Sequence, residues 1–337
     1  MRAVAVSGMA ILLVSCGGGA TPTSSTPITV VTPTPPAQMW ALTGRVTDNL
    51  SGHGIAGAIL AADGRTPATT DGDGRWRLEG SGTPLSSLAV TVRAPGFITH
   101  ETFIRWQPAG REDIGLDLLP ERRPFSLTFY RELVRNGLES PTALQPLRRW
   151  TTNPNFYVNT FNPKTLRALE PDEASMVVRA LRESIPQLTG GRLAAGAIET
   201  GDTARSPQRD WINVSFIYDP HGDFCGQARV GANPGTITMN YDQCASVCGS
   251  LKVTPQAIAH EVGHAMGFWH ISNVGIMSRG WDLPCSQVAF TGEERLHAGA
   301  AYSRPAGNLD PDTDPAGFSA LSATLDGPVV RCPVRPR

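Results

Sequence analysis

Charge is scarce in this chain of 337 residues, and its two signs nearly cancel. Charged residues make up 18% of the sequence, below the roughly 25% of an average soluble domain, and 29 Lys and Arg stand against 30 Asp and Glu. Proteins that bind nucleic acid through its phosphates need a basic surface, so we expect no nucleic-acid partner. Long apolar runs are missing too. After the N-terminus no stretch approaches the roughly 18 residues that a membrane-spanning helix needs.

The first 16 residues are typical of an export signal. Arg2 precedes a short apolar run, which is too short to span a membrane and ends in Leu13-Val14-Ser15-Cys16. This ending resembles the lipobox of bacterial lipoproteins. The resemblance implies cleavage before Cys16 and acylation of the Cys16 thiol and of its new amino group. An ordinary signal peptide is the alternative.

Residues 17–38 are interpreted as a tether. Three glycines come first and Pro and Thr dominate the rest, which favours an extended, semi-rigid chain. The protein is therefore expected outside the cytoplasm, held to a bacterial outer membrane or cell surface through lipidated Cys16, or else secreted. An oxidising compartment would join four of the remaining five cysteines in two disulfides and leave one thiol. These five cysteines lie at positions 225, 244, 248, 285 and 332.

Residues 39–120 consist of short alternating segments separated by Gly-rich turns, the pattern of a small all-β sandwich. The stretches GRVTD, GIAGAIL, TTDGDGRWRL and LAVTVRAPGFITH resemble the carboxypeptidase regulatory-like (transthyretin-like) domain. That resemblance implies a non-catalytic module, whose ligand would be a glycan or a protein. We interpret Asp71-Gly72-Asp73-Gly74 as a hairpin turn. A structural Ca2+ site is the weaker alternative, because the further acidic residues of a calcium loop are missing.

From residue 121 onward helical and strand patterns mix, which predicts an α+β fold. In chain order the sequence shows a helix opened by Pro171-Asp172-Glu173-Ala174, a buried-type strand at Trp211–Ile217, a strand at Gly235–Asn240, a helix capped by Thr254 ahead of Pro255, and a helix behind the capping box of Thr291 and Glu294. The strand with alternating threonines is predicted to be an exposed edge of the sheet. Its residues are Gly235, Thr236, Ile237, Thr238, Met239 and Asn240. Residues 121–305 form the predicted second domain. Residues 306–337, with alternating acids from Asp310 to Asp314, are interpreted as a solvated tail.

The middle helix and the residues that directly follow it carry three of the seven histidines in the chain. Four residues advance about 400° on an α-helix, so His260 and His264 project from one face and both reach one ion at the roughly 2.0–2.1 Å of a Zn–N bond. Glu261 lies about 100° round from His260, where it is a poor ligand but is well placed to hydrogen-bond a water on the metal. Gly267 is expected to take a left-handed conformation and end the helix, so that His270 turns back as the third ligand.

The residues from His260 to His270 match the pattern HExxHxxGxxH, which resembles the metzincin metalloproteases. The resemblance implies a mixed twisted sheet with an active-site helix, one catalytic Zn2+ on three histidines, and Glu261 as the general base. It also implies that Met277 lies beneath the imidazoles as an apolar floor and not as a ligand. Arg279 stands where some metzincins carry a Tyr, which fits a matrixin-like or other Tyr-free branch, and it is given no catalytic role.

Substrate placement is a further expectation from the resemblance. In metzincins the strand before the zinc helix binds an extended substrate by strand addition, and here that strand would be Gly235–Asn240. The loop around Trp281-Asp282-Leu283-Pro284 would wall the pocket beyond the cleaved bond. Disulfides that pin loops are favoured over a free thiolate that blocks the zinc, because no segment matches the propeptide motif that does this in matrixins.

The sequence thus predicts a zinc-dependent endopeptidase acting on internal peptide bonds of extracytoplasmic proteins or peptides. Three neutral histidine ligands leave a fourth coordination position open, which is typical of a catalytic zinc site. Two alternatives stay open. One is a cell-surface binding module with an inactive metalloprotease half, and the other is a zinc hydrolase with a non-peptide substrate, because a fold does not fix a substrate.

Overall fold

A computed structural model describes residues 39–82, 86–105, 113–243, 252–280, 283–316 and 327–333 of the chain. The predicted signal peptide, Cys16 and the tether lie outside these ranges, and so do Trp281 and Asp282 of the predicted pocket wall. None of the helices in the described ranges has the length and hydrophobicity that a bilayer crossing requires.

Seven strands form the N-terminal part of the described chain. They are β1 (Met39–Asp48), β2 (Ile59–Ala62), β3 (Ala68–Thr69), β4 (Arg75–Ser81), β5 (Ser87–Arg93), β6 (His100–Arg105) and β7 (Ile114–Leu118). Every second residue of β1, β4 and β5 is buried, the pattern of strands with one face on a core. The strands make two sheets, β4-β1-β7 and β3-β2-β5-β6. Their buried side chains share one hydrophobic cluster, which includes Leu60, Trp76 and Val92.

The Asp71-Gly72-Asp73-Gly74 run makes a turn between β3 and β4, but the prediction of a hairpin is wrong, because these two strands belong to different sheets. The Asp71 carboxylate accepts the backbone N–H of Asp73 at 3.0 Å and that of Arg75 at 2.8 Å. The Gly74 N–H donates to the Asp71 carbonyl at 3.0 Å. This carboxylate is therefore engaged in stabilising the turn.

Four helices and eight further strands follow in the described residues, so the predicted α+β class is confirmed. The helices are α1 (Leu127–Arg135), α2 (Pro171–Leu188), α3 (Pro255–Ala265) and α4 (Gly292–Ala301). The strands are β8 (Asn155–Asn159), β9 (Phe161–Asn162), β10 (Arg167–Ala168), β11 (Ile198–Gly201), β12 (Trp211–Ile217), β13 (Phe224–Arg229), β14 (Gly235–Asn240) and β15 (Val329–Pro333). Strands β9 and β10 pair with each other, and the other six strands form one sheet.

Local signals set the helix starts that the sequence predicts. Pro171 is the first residue of α2, and the Glu173 carboxylate accepts the backbone N–H of Glu170 at 3.2 Å. At α4 the capping box is complete, because the Thr291 hydroxyl accepts the Glu294 N–H at 3.1 Å and the Glu294 carboxylate accepts the Thr291 N–H at 2.7 Å. Each reciprocal pair satisfies backbone donors that a helix leaves without a partner.

The six-stranded sheet runs in the order β11-β8-β12-β14-β13-β15. Strands β11, β8, β12 and β14 are parallel, whereas β13 is antiparallel both to β14 and to β15. The prediction that Gly235–Asn240 is an exposed edge is therefore wrong, because β14 pairs with a neighbour on each side. Its alternation has another cause: Ile237 and Met239 are buried, whereas Thr236 and Thr238 are half-buried on the opposite face.

Residues 306–316 belong to the folded body, which corrects the interpretation of these acids as a solvated tail. Asp310 accepts two hydrogen bonds from Arg131, at 2.9 and 2.8 Å. Asp312 is completely buried and Asp314 is nearly so. Alternating acids indicate exposure to solvent only where they have no partners inside the protein. Here Arg131 pairs with Asp310 and Arg304 with Asp312, and His100 contacts Asp314.

Arg304 joins the N-terminal sheets to the rest of the fold. Its side chain is buried, and it donates to the two carboxylate oxygens of Asp312 at 2.6 and 2.7 Å and to the carboxylate of Asp117 in β7. His100, on β6, lies 3.1 Å from the Asp314 carboxylate. Both parts belong to one compact unit, Gln38–Arg337, so this cluster of charges is internal to it.

Candidate metal centre

The helix that carries the histidines is buried on all sides. The Thr254 hydroxyl caps it by accepting the Ala257 N–H at 3.1 Å, and Pro255 is its first residue, both as predicted. Every residue of α3 is buried, and the helix packs on α2 and on strands β13, β14 and β15. Polar side chains on such a helix must therefore find their partners inside the protein.

His260, His264 and His270 converge on one point. Their Nε2 atoms are 3.0 Å apart for His260 and His264, and 3.2 Å apart for each of these with His270. All three side chains are buried. Two nitrogens on a tetrahedral zinc with bonds of about 2.0–2.1 Å lie about 3.4 Å apart. The triangle of Nε2 atoms therefore has about the dimensions of three ligand positions around one ion.

The remaining ring nitrogens show which tautomer each histidine adopts. Nδ1 of His260 contacts the Ile276 carbonyl oxygen at 2.7 Å, and Nδ1 of His264 contacts the Phe268 carbonyl oxygen at 2.8 Å. A carbonyl oxygen can only accept, so Nδ1 carries the proton and the Nε2 lone pairs point towards one another. Such lone pairs repel at this distance unless a cation lies among them, and these residues therefore fit a metal ion.

Burial keeps the imidazoles of His260 and His264 neutral. Burial and the neighbouring His270 together lower the pKa of His260 to about 3. Burial also holds the pKa of His264 well below its usual value. Neutral imidazoles are the form that binds a metal, so His260 and His264 require no deprotonation before binding at neutral pH.

Glu139 is a part of the site that the sequence did not predict. Its Oε1 lies 2.5 Å from Nδ1 of His270, and this hydrogen bond is the main cause that holds the pKa of Glu139 below its usual value. The arrangement fixes the third imidazole, as the carbonyls fix the other two. Arg279 lies 3.6 Å from the same carboxylate oxygen and is largely exposed. Glu139 follows α1, far from the motif in the sequence, and no local pattern marks it.

Gly267 turns the chain back after α3, as predicted. Its φ of 108° lies in the region where residues with a Cβ are strained. A Cβ at this position would also overlap the carbonyl oxygen of Arg148. The chain can thus make the return that brings His270 to the other two histidines only with glycine here.

Glu261 is completely buried beside the histidines. Neither carboxylate oxygen has a hydrogen-bond partner within the described part of the chain, and burial raises the pKa of this carboxyl well above its usual value. Its ligand atom lies within 4.8 Å of those of His260 and Cys332. A buried carboxylate without a partner is costly, so its position beside three converging histidines points to a chemical role.

Met277 packs against α3 at Gly263. A Cβ at Gly263, between the two helical histidines, would overlap the Met277 sulfur. The Met277 N–H donates to the buried Glu294 carboxylate at 2.7 Å, and the Met277 carbonyl accepts the Ile271 N–H at 3.0 Å. The residue thus packs against α3 at Gly263, between the two helical histidines. Glu294, predicted only as part of a capping box, also fixes this turn.

The three cysteines within the described ranges are of two kinds, whereas Cys244 and Cys248 lie outside those ranges. Cys225 and Cys285 are disulfide-bonded. Cys332, on β15, is the free cysteine among the described residues, is buried, and lies in the group with His260 and Glu261. Burial and the nearby Glu261 raise the pKa of its thiol well above the usual value. The sequence predicts one leftover thiol but gives no signal that places it here.

Comparisons with known proteins add little to this geometry. No family model matches the chain, and no curated protein does. Among solved structures, a chlorocatechol 1,2-dioxygenase from Pseudomonas putida is 15% identical over 27% of this chain and 64% of its own, with a TM-score of 0.21. The metalloproteinase-II from Bacteroides fragilis is 12% identical over 78% of this chain and 86% of its own, with a TM-score of 0.31. This chain thus covers less than two thirds of the dioxygenase, and TM-scores this low establish neither a shared fold nor a shared function.

Proposed function

We propose that the chain is a zinc-dependent endopeptidase, in which His260, His264 and His270 hold one Zn2+ and Glu261 is the general base. One observation carries the proposal. Three buried imidazoles aim their Nε2 atoms at one point, all within 3.2 Å of one another, beside a fully buried carboxylate. Three histidines are a donor set of catalytic zinc sites, and imidazole is a ligand that zinc favours.

Each residue of the group has a distinct task in this proposal. Zinc held there would supply Lewis-acid polarisation of the scissile carbonyl and would lower the pKa of a bound water towards about 7. Glu261 would take up the proton of the attacking water at its carboxylate and pass it to the leaving amine nitrogen. Glu139 and the Ile276 and Phe268 carbonyls hold the imidazoles in the tautomer that presents Nε2.

The substrate and location that we propose follow from the sequence. The substrate is an extracytoplasmic protein or peptide, bound in extended form, and the enzyme is tethered to a membrane through lipidated Cys16. In a bacterial host, Cys16→Ser should move the protein from the membrane fraction to the soluble fraction. A mature wild-type chain recovered without a lipid on Cys16 would contradict the tether.

Cleavage of a peptide library, read by mass spectrometry, tests the proposed reaction. The full chain carries Cys332→Ser, which removes the thiol that lies beside His260. We expect internal cuts, and we expect Glu261→Gln in this background to lower kcat/KM by about 10²–10⁴-fold with zinc content unchanged, the usual contribution of a general base.

Glu183→Gln is the matched control, because Glu183 is exposed on α2 and makes the same change of charge. It should leave cleavage unchanged. Cuts that survive Glu261→Gln would contradict the role of this carboxylate. Zinc at one per chain without any cut peptide would favour the non-peptide hydrolase or the inactive binding module.

A further inference from the structure

A cavity of about 600 Å³ lies where the N-terminal sheets meet the segment that follows α4. Residues of β6 and β7 line it, together with Arg149 and residues 303–306. None of the residues that line it belongs to the candidate metal centre. Its volume is within the range of about 300–1,000 Å³ that is typical of ligand pockets.

One wall of this cavity is a strand edge with unpaired backbone groups. At the start of β6, Glu101 donates its N–H to the Asp312 carbonyl at 3.0 Å, and its own carbonyl accepts the Asp314 N–H at 2.7 Å. Phe103 lies two positions further along, so its N–H and carbonyl point to the same side of the strand. Within the described ranges they make no backbone hydrogen bond to another element on that side. The edge can therefore accept a further strand.

Arg149 brings a positive charge to the same cavity. Its Nη1 donates to the carbonyl oxygens of Tyr302 and Arg304, which fixes the side chain. Its Nη2 makes no hydrogen bond to a described residue, and no carboxylate among those residues pairs with the guanidinium. Burial lowers the pKa of Arg149 below its usual value, because desolvation outweighs the compensation that its charge receives.

The two carboxylates that line the cavity already have partners. Asp117 pairs with Arg304. Asp314 accepts the Thr102 hydroxyl at 2.6 Å and lies 3.1 Å from His100. Arg149 thus leaves the cavity with an unpaired positive charge. Apolar side chains complete the lining, among them Phe103, Ile104 and Leu116.

From these contacts we propose that the cavity binds an extended peptide, which pairs with β6 at Phe103 and places a carboxylate on Arg149. Strand addition supplies the backbone hydrogen bonds, and the apolar wall receives alternate side chains of the peptide. A guanidinium is a favoured partner of a carboxylate, which is either the C-terminus of the peptide or an acidic side chain. Such a site goes beyond the proposed reaction, since it holds a peptide away from the metal centre.

A library of octapeptides, immobilised through their N-termini and with free carboxyl ends, tests the site. Every protein is the full chain with Glu261→Gln, so that bound peptides are not cut. We expect this parent to enrich peptides that its Arg149→Gln variant does not enrich. By fluorescence polarisation, Arg149→Gln should raise the Kd of an enriched peptide by at least about tenfold, as for the loss of a hydrogen bond to a charged group.

Gly115→Trp is a second variant, because Arg149 also supports the backbone after α4. Gly115 lines the cavity, and an added Cβ there meets nothing within 4 Å. The indole should therefore narrow the cavity without strain and raise the Kd by at least about tenfold. Gly72→Trp, at an equally open turn position before β4, and Arg77→Gln, exposed on β4, are the matched controls and should leave the Kd unchanged.

Two changes to the peptide identify the carboxylate. Amidation of the C-terminus should abolish binding if that group contacts Arg149, and replacement of the acidic side chains by amides should do so if one of them does. An affinity that survives the loss of every carboxylate would overturn the inference. Failure to enrich any peptide, or binding that survives both Arg149→Gln and Gly115→Trp, would overturn it as well. The measurement involves neither zinc nor cleavage, so each of these failures leaves the proposed function standing.

Discussion

The residues of the candidate metal site are of two kinds. Some face the point where His260, His264 and His270 converge, and others hold those residues in place. The three histidines and Glu261 are of the first kind, and Glu139 is of the second, because its carboxylate contacts His270 at the nitrogen that faces away from the group. Gly267 is of the second kind as well, since it makes a backbone turn that other residues resist. A motif in the sequence shows the first kind far better than the second.

Gly267→Ala should lower the free energy of unfolding by at least about 2 kcal/mol. The substitution forces a residue with a Cβ into a strained conformation, which costs about 1–3 kcal/mol, and it also drives that Cβ into the Arg148 carbonyl. Denaturant unfolding of the metal-free protein measures the effect.

Gly292→Ala serves as the control, because an added Cβ there meets nothing within 4 Å. It should change the free energy of unfolding by less than about 0.5 kcal/mol. Equal costs at the two positions would contradict the role given to the Gly267 backbone.

The sequence predicted the histidines because their arrangement is local. Helical spacing places His260 and His264 on one face without any knowledge of the fold. Glu139 could not be found in this way, since it lies 131 positions from His270 in the sequence and its partner is set by tertiary packing. The same holds for Cys332, which the sequence predicted as a leftover thiol and could not place.

At the scale of elements, the turn that carries Met277 depends on the start of α4. The Glu294 carboxylate accepts two backbone N–H groups, one from Thr291 in its own capping box and one from Met277. Ile276, which hydrogen-bonds His260 through its carbonyl, is the residue before Met277. One carboxylate therefore connects the helix start to a histidine of the metal group.

Glu294→Ala should cost about 2–4 kcal/mol of stability, because it leaves the buried Met277 N–H without an acceptor and removes the cap. It should also weaken zinc affinity by about 10–100-fold, the usual effect of losing such a support. Thermal unfolding and zinc titration measure the two effects.

Two further substitutions make the test specific. Glu294→Gln keeps one oxygen acceptor and should cost less than half as much as alanine. Glu293→Ala, at the neighbouring and more exposed residue, should cost less than about 1 kcal/mol. A zinc affinity that is unchanged in Glu294→Ala would show that the turn does not support the histidines.

Helix starts were predictable from the sequence, whereas the order of the strands was not. Caps at Thr254 and Thr291 act within one turn, so their residues suffice to identify them. The neighbours of β14 come from elsewhere: β12 pairs with it in parallel, and β13 shields it on the other side. Strand β15, which forms the edge beside β13, begins at Val329, 100 residues after β13 ends at Arg229.

At the scale of the whole molecule, buried charges join the N-terminal sheets to the part that carries the metal group. Arg304 contacts Asp117 on β7 and Asp312 beyond α4, and it is 2% exposed. Removing one partner of such a buried group leaves the remaining charges uncompensated, which costs far more than the loss of a surface ion pair.

Arg304→Met should therefore lower the free energy of unfolding by about 3–5 kcal/mol. Arg77→Met removes the exposed ion pair with Glu79 and should change it by no more than about 0.5 kcal/mol. Urea unfolding of both variants makes the comparison. Similar small losses in the two would show that the Arg304 cluster is not a structural joint.

Acid should weaken the same joint through Asp314. Burial raises the pKa of Asp314, but hydrogen bonds from His100, Thr102 and Asn308 outweigh burial and hold it below its usual value. Folding thus favours the ionised form, so its stabilisation is present above the ordinary aspartate pKa of about 3.9 and is lost as the pH falls through the lower pKa of the folded state. Arg304, Asp312 and Asp117 are the other charges of this cluster.

The free energy of unfolding, measured between about pH 5 and pH 2, should therefore fall more steeply for wild type than for Asp314→Asn. The difference between the two curves isolates this carboxyl from the other acids of the protein. Parallel curves over this interval would contradict the depressed pKa.

The central claim of this account is that one metal ion lies among His260, His264 and His270. Zinc content per chain, measured by plasma mass spectrometry on folded protein after saturation and desalting, tests it most directly. We predict one zinc per wild-type chain and far less than one for His264→Ala of unchanged circular dichroism. Metal-free wild type, or an equal zinc content in the variant, would contradict the claim.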